Sequence, residues 1–221
     1  LTESDTGLLK AGSLTATVAG PITIKGAQDY NAASGLSLTA NGASSGDINV
    51  GNITTSTGGV VTFSNKYGLN LLGDISSAGV ITQTAVVGGT PQVNIGNSLS
   101  AAAGVTIQTT TGTLINFASN IVMKKNVTFQ TTAGGSITLG TPGGTLLSDS
   151  NNTGTLSLNV IATGTGAINL NSNIGNVALQ VLGLVNVSTG GQANIASTAI
   201  TTSGSSGQTF TGNVVYTSNL V

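Results

Sequence analysis

The chain repeats one short phrase: an apolar residue, Asn, a second apolar residue, two or three small or polar residues, then Asn or Asp before another apolar residue. Two of its copies are "GDINVGNI" at 46–53 and "GAINLNSNI" at 166–174. The first four intervals between copies span 21 to 24 residues, a period typical of stacked-repeat proteins. The apolar residues that open the copies are Ile48, Leu69, Val93, Ile115, Ile137 and Ile168.

The repeating unit is predicted to be β-strand, because its phrases alternate apolar and polar residues and are rich in Val, Ile, Thr and Phe. A second apolar phrase falls between the copies of the first, as in "GVVTF" at 59–63 and "NVTF" at 126–129. We expect three short strands in each coil, each paired in parallel with its equivalent on the next coil, with aliphatic side chains stacked inside. The predicted fold is therefore an all-β parallel β-helix, or β-solenoid, of about ten coils of roughly 22 residues.

The repeated Asn and Asp residues are expected to build the scaffold rather than a ligand site. At the corners they tolerate left-handed backbone conformations, and their side chains hydrogen-bond to nearby backbone or to the identical amide one coil above. The predicted corner column consists of Asn52, Asp74, Asn97, Asn120 and Asn173. The predicted outer-face column consists of Asn49, Asn70, Asn94, Asn116 and Asn169.

The pattern divides the chain into three parts. Residues 1–11 carry three of the chain's eleven charges and are expected to form an N-terminal cap or a frayed end. Residues 12–195 carry the repeats. Residues 196–221 keep the alternation but lose the phrase, so we expect an irregular last coil or a linker to a next module.

One interval is longer than the others. The 31 residues between Ile137 and Ile168 predict a loop inserted at 140–154. Inserted loops on repeat proteins often serve binding, although tolerated extra length is the preferred explanation here. The candidate binding residues in this loop are Asp149, Asn151 and Asn152.

The composition restricts the partners. Only 5% of the residues are charged, and the chain has no Arg, no His and no Cys. Nucleic acid is not an expected partner, since phosphate recognition needs clustered basic residues. No disulfide framework exists, which leaves the redox compartment open. The longest apolar runs, such as "ALQVLGLV" at 178–185, are much shorter than the roughly 20 residues that span a bilayer, so no transmembrane segment is expected.

No catalytic, metal or cofactor site emerges from the sequence. Without His, Arg or Cys the chain lacks the usual bases, oxyanion clamps and nucleophiles. The calcium-binding pattern "GGxGxD" does not occur. A polysaccharide-active enzyme stays as an alternative, and it would need acidic side chains converging on one face. The available acids are Glu3, Asp5, Asp29, Asp47, Asp74 and Asp149.

The phrases "GSLTATVAGPITIKG" at 12–26 and "GTGAINLNSNIGNVAL" at 164–179 resemble the degenerate repeats of filamentous-haemagglutinin-type exoproteins and autotransporter passengers of Gram-negative bacteria. The resemblance covers about residues 12 to 190. It implies a right-handed parallel β-helix, display outside the cell, and a role in adhesion, biofilm or surface fibres. The family's motif is a folding motif, so no functional residue carries over.

These observations predict a non-enzymatic, extracellular or cell-surface protein with a structural or adhesive role. In one form it is a rigid stalk or a fibre-forming subunit, whose partner is a further module or a second copy joined end to end, because uncapped parallel strands are templates for pairing. In the alternative form it is an adhesin module that binds surface glycans or a host surface through loops such as 140–154.

Overall fold

The computed structural model describes residues 1–3, 7–42, 46–96, 104–142, 144–147, 154–175 and 181–217. Within these ranges the regular elements are β-strands, and their ladder pairings are parallel. The predicted all-β parallel β-solenoid is confirmed. No helix that is both long and apolar enough to cross a membrane is present in the described part of the chain.

Most strands are short, because Gly-rich corners interrupt the chain every few residues, whereas the last two strands have 14 and 15 residues. In chain order they are β1 (Thr2–Glu3), β2 (Leu8–Ala11), β3 (Leu14–Val18), β4 (Ile22–Ile24), β5 (Ala27–Tyr30), β6 (Leu36–Ala40), β7 (Ile48–Val50), β8 (Ile53–Thr55), β9 (Val61–Asn65), β10 (Gly68–Leu71), β11 (Ile75–Ser77), β12 (Ile81–Ala85), β13 (Gln92–Ile95), β14 (Gly104–Thr109), β15 (Ile115–Phe117), β16 (Asn120–Met123), β17 (Asn126–Thr131), β18 (Ile137–Leu139), β19 (Thr145–Leu147), β20 (Ser157–Ala162), β21 (Ile168–Leu170), β22 (Asn173–Ile174), β23 (Leu182–Ile195) and β24 (Thr202–Tyr216).

Each coil contributes one strand to each of three faces. Face A is the ladder β1-β4-β7-β10-β13-β16-β19-β22. Face B is the ladder β2-β5-β8-β11-β14-β17-β20, and face C is the ladder β3-β6-β9-β12-β15-β18-β21. The long strand β23 pairs with both β20 and β21, so it continues both face B and face C. Strand β24 pairs with β23 on its other side.

The solenoid has about eight turns, so the expected ten coils were too many. Coil length varies: Asn49 and Asn70 are equivalent residues 21 positions apart, whereas Asp74 and Thr106 are equivalent at 32. The regular spacing of the phrase is misleading because the same phrase starts strands on two faces. Its copies in β13 and β15 belong to one coil, the first on face A and the second on face C.

The core is a set of aliphatic columns that run along the axis of the rod. On face A the column consists of Ile22, Ile48, Leu69, Val93 and Ile121, each in register with the next and each buried. Burying one such side chain stabilises the fold by about 1.5–3 kcal/mol. The in-register pairing of like residues therefore holds successive coils together.

Aromatic side chains connect two faces across the interior. The rings of Phe117 on face C and Phe129 on face B meet edge to face, with centroids 5.7 Å apart. Both side chains are buried. The contact joins faces B and C across the interior.

The segments outside the central repeats also take part in the ladders. Residues 2–3 and 8–11 form β1 and β2, and Ile200 bridges to Ile174 ahead of β24. Within the predicted loop 140–154, residues 145–147 form β19, a regular strand of face A between β16 and β22. Residues 143 and 148–153 of that loop lie outside the described residues.

Candidate functional site

A ladder of asparagine amides runs along the outer surface of face A. Asn70 Nδ2 donates to Asn49 Oδ1 at 2.8 Å, and Asn94 Nδ2 donates to Asn70 Oδ1 at 2.8 Å. Gln92 Nε2 donates to Asn94 Oδ1 at 2.7 Å and ends the ladder on one side. Parallel, in-register pairing places the identical side chains directly above one another, which is why the amides meet.

The predicted outer-face column of five asparagines is therefore wrong beyond Asn94. Asn116 and Asn169 lie on face C, with Thr138 between them in the same register. There Asn169 Nδ2 donates to Thr138 Oγ1 at 3.2 Å, and Asn194 Nδ2 donates to Asn169 Oδ1 at 2.8 Å. In the described part of the chain, the asparagines of this phrase therefore fall into two separate ladders, because one sequence phrase serves two faces.

The predicted corner residues bond to backbone one coil away. At the entry to face B, Asn52 Oδ1 accepts from the backbone N–H of Asp74 at 2.9 Å, and Asp74 Oδ1 accepts from that of Thr106 at 2.7 Å. Each acceptor satisfies a backbone donor at a corner, where the regular ladder is interrupted. The side-chain oxygens thus link successive coils.

Asn120 and Asn173 do the same at a different corner, the entry to face A. Asn120 Oδ1 accepts from Thr145 N at 3.1 Å, and Asn173 Oδ1 accepts from Thr198 N at 2.7 Å. The predicted single corner column is therefore split as well. Four of the predicted site residues lie outside the described residues: Asn97, Asp149, Asn151 and Asn152.

The expected left-handed backbone at these corners is also wrong. Within the described ranges the non-glycine residues with positive φ are Thr57 at 54° and Ala133 at 51°. The four placed corner residues keep ordinary φ values, so Asn and Asp are present there for their side-chain oxygens. Their chemistry, rather than backbone freedom, explains the repeated position.

Two further residues follow this rule and were missed by the sequence reasoning. Asp47 Oδ1 accepts from Gly68 N at 2.7 Å, and Asn126 Oδ1 accepts from Ser157 N at 2.9 Å. The sequence does carry a signal for them, since each directly precedes the first inward-facing residue of a strand.

Buried hydroxyl groups brace the corner between faces B and C, and these too were missed. Thr55, Thr109 and Thr131 end their strands on face B, and each Oγ1 donates to the backbone carbonyl four residues later. The distances are 2.6, 2.9 and 2.5 Å. The sequence indicates these corners through the similar segments "TSTGG", "TTTGT" and "TTAGG". Left-handed backbone occurs in two of them, at Thr57 and Ala133.

One polar cluster lies inside the rod. Gln83 is in register with Phe63 and Phe117 and is buried. Its Nε2 donates to Asn65 Oδ1 at 2.7 Å and to Ser119 Oγ at 2.8 Å, whereas its Oε1 is buried and has no hydrogen-bond partner among the described residues. The cluster ties three coils together from within.

A shallow groove of about 240 Å³ lies beside the amide ladder of face A. Its walls combine amides, two exposed lysines and an apolar side chain. The lining residues are Lys25, Asn49, Asn70, Leu72, Asn94, Gly96 and Lys124.

The acidic side chains are dispersed. Asp47 and Asp74 accept backbone N–H groups at different corners, and Asp29 lies 3.9 Å from Lys10 in an exposed pair. In the part of the chain that the structure describes, no group of three or more metal-ligating side chains is present.

Burial, and then the nearby Glu3 carboxylate, raise the pKa of Tyr30 to about 12. Tyr30 Oη donates to Gln28 Oε1 at 3.0 Å, inside the N-terminal end of the rod.

Comparison with protein-family models, with curated proteins and with solved structures finds no match for the chain.

Proposed function

We propose that this chain is a non-enzymatic structural segment of an extracellular or cell-surface protein, acting as a rigid rod. The observation that carries the proposal is the continuity of the ladders: face A runs from β1 to β22, faces B and C run from β2 and β3 to β23, and β24 extends the stack. Every coil is held to the next by backbone hydrogen bonds, so bending the rod requires breaking several at once.

Side-chain bonds between coils add to this stiffness. The amide ladder of face A and the corner acceptors join coils at the surface, and the Gln83 cluster joins them inside. The sides carry few charges, so neighbouring molecules could pack against them without desolvating ions. The resemblance of the repeats to haemagglutinin-type exoproteins supports display outside the cell.

The two ends of the rod favour joining to a further coil. In the described part, β3 pairs on one side with β6 and β24 pairs on one side with β23, so each leaves an open parallel edge. Apolar side chains lie at both ends: Leu8 is 57% exposed and Tyr216 is 47% exposed. Open parallel edges with apolar neighbours are templates for another strand, and we propose that a further coil, in the next module or in a second copy, covers them.

Electron microscopy of the chain over a range of concentrations tests this role. The expected result is straight rods that join end to end, with an axial repeat of about 40 Å for eight coils at the inter-strand spacing. Ala16→Lys places a charge at the inward-facing edge of β3 and should abolish joining. Thr15→Lys, on the exposed side of the same strand, should not.

Isolated rods at every concentration would contradict end-to-end joining of copies and restrict the proposal to a spacer within one polypeptide. Particles that bend or collapse rather than form rods would contradict both forms.

A further inference from the structure

We propose that the outer surface of face C binds ice through a regular array of hydroxyl groups. The array covers β3, β6, β9 and β12, and in each of these strands the second and fourth residues point outward and are Ser or Thr. The residues of this hydroxyl array are Thr15, Thr17, Ser37, Thr39, Thr62, Ser64, Thr82 and Thr84. The array lies on the side of the rod, so it does not depend on end-to-end joining.

Parallel pairing without a register shift aligns these residues in two columns. Thr62 is paired with Ser37 on one side and with Thr82 on the other, and the second column, which passes through Ser64, has the same register. Strand β3 continues both columns beyond β6. Hydroxyl groups therefore recur about every 4.8 Å along the rod and about every 6.6 Å across it, the spacings of neighbouring strands and of alternate residues within a strand.

These two spacings are close to those of ice. Water oxygens in ice are bonded tetrahedrally at about 2.75 Å, so equivalent oxygens recur about every 4.5 Å within a layer and about every 7.3 Å across the layers. The spacings of the array agree with both to within about a tenth. Over the three steps between four coils, the axial difference adds up to about 0.9 Å, about a fifth of one repeat. All four coils therefore match one row of the lattice.

The hydroxyl groups of the array are available to water. Within the described residues, Thr84 Oγ1 donates to the Phe63 carbonyl oxygen at a long 3.5 Å, and the other seven hydroxyl groups have no hydrogen-bond partner. The inward-facing hydroxyl of Thr131 on face B, by contrast, is bonded to backbone. Most residues of the array are Thr, whose β-branched side chain restricts χ1 and so holds the methyl and hydroxyl groups in place.

The array is uncharged, and this favours ice over an ionic or polymeric ligand. The charged side chains of the described residues lie on faces A and B or at corners. The one closest to the array along the chain is Lys66, at the corner after β9, where Nζ lies 5.9 Å from the centre of the Tyr67 ring. The grooves beside Lys10, Asp74 and Lys124 include no residue of the array. Face C therefore offers a surface for an extended solid rather than a groove for one polymer chain.

The array ends after β12, which limits the site to four coils. In the second column Ala118 follows Thr84, since Ala118 N donates to the Gln83 carbonyl oxygen in the next coil. In the first column, Asn169 Nδ2 donates to Thr138 Oγ1, so that hydroxyl group already has a partner. The N-terminal half of face C is therefore the ice-binding part.

Measurement of ice growth in a solution of the purified chain tests the proposal. We expect the freezing temperature to fall below the melting temperature and recrystallisation to slow, because bound protein blocks growth of the ice plane that it covers. Thr62→Lys places a charge at the centre of the array and should abolish both effects. Thr128→Lys makes the same change on the outer surface of face B and should leave both effects unchanged. Circular dichroism confirms that each variant keeps its strands.

Three results would overturn the proposal: no effect of the chain on ice growth at millimolar concentration, full activity of Thr62→Lys, and equal loss in Thr128→Lys. Analytical ultracentrifugation of the same samples tests a different occupant of face C. Association that Thr62→Lys abolishes and Ala16→Lys leaves unchanged, in a chain without effect on ice, would assign this surface to a second copy of the chain.

Discussion

Asn70 stands directly above Asn49 on face A, and its Nδ2 donates a hydrogen bond to Asn49 Oδ1 at 2.8 Å. Asn94 makes the same bond to Asn70 from the next coil. Asn70 therefore holds two inter-coil bonds, and it is the central member of the ladder.

Replacing Asn70 by Ala should lower the free energy of unfolding by about 1–2 kcal/mol, because two half-buried side-chain bonds are lost. Denaturant unfolding measures the change. Asn116→Ala is the matched control, since Asn116 occupies the same place in the phrase but has no side-chain hydrogen bond within the described residues. Its expected effect is within about 0.5 kcal/mol. Equal losses in the two variants would contradict a stabilising ladder.

Asp74 should act through its oxygen rather than its charge, because Oδ1 accepts the N–H of Thr106 on the next coil. Asp74→Ala is expected to cost about 1–2 kcal/mol, whereas Asp74→Asn keeps an acceptor and should cost under about 0.5 kcal/mol. Thermal unfolding gives the two values. Amide exchange of Thr106 should accelerate in the Ala variant only, and equal exchange in both variants would count against the bond.

Thr131→Val removes the buried hydroxyl that bonds the Gly135 carbonyl and keeps the shape of the side chain. The expected cost is about 1–3 kcal/mol, since the carbonyl loses its hydroxyl partner at a buried corner. Thr128→Val, on the outer surface of the same strand, is the control and should change little. Chemical denaturation compares them, and an equal cost would mean that the brace does not stabilise the corner.

Stability should fall at high pH through Tyr30. Burial, and then Glu3, raise its pKa from 10.0 to about 12. The folded chain therefore keeps a proton that the unfolded chain releases, so this stability is present below pH 10 and is lost as the pH rises towards 12. The total loss is about 2–3 kcal/mol.

Unfolding measured between pH 9 and 12 tests this, with Tyr30→Phe as the comparison. The variant has no phenol to ionise, so its stability should decline less over that range. Parallel declines in the two proteins would contradict the assignment to Tyr30.

The class of the fold follows from the repeated sequence pattern alone. Alternation in phrases such as those around Ile48 and Val127 requires strands with one face inward, and their recurrence requires stacking, because one coil cannot bury its own apolar face. The sequence also located the polar positions at the corners. Asn52 and Asp74 do lie at corners, one coil apart, as the spacing indicated.

Which residues meet depends on the three-dimensional arrangement of the coils. Ile115 opens the same phrase as Val93, yet the two belong to different faces of one coil, so the asparagines that follow them never stack. Phrase spacing does not show to which face a strand belongs, because corner length varies from coil to coil. The register depends on which inward-facing side chains fill the interior together. Likewise the groove between Lys25 and Lys124, 99 positions apart in the sequence, exists because four coils place them on one face. Local pattern specifies a strand, whereas the position of that strand in the ladder depends on packing across the whole rod.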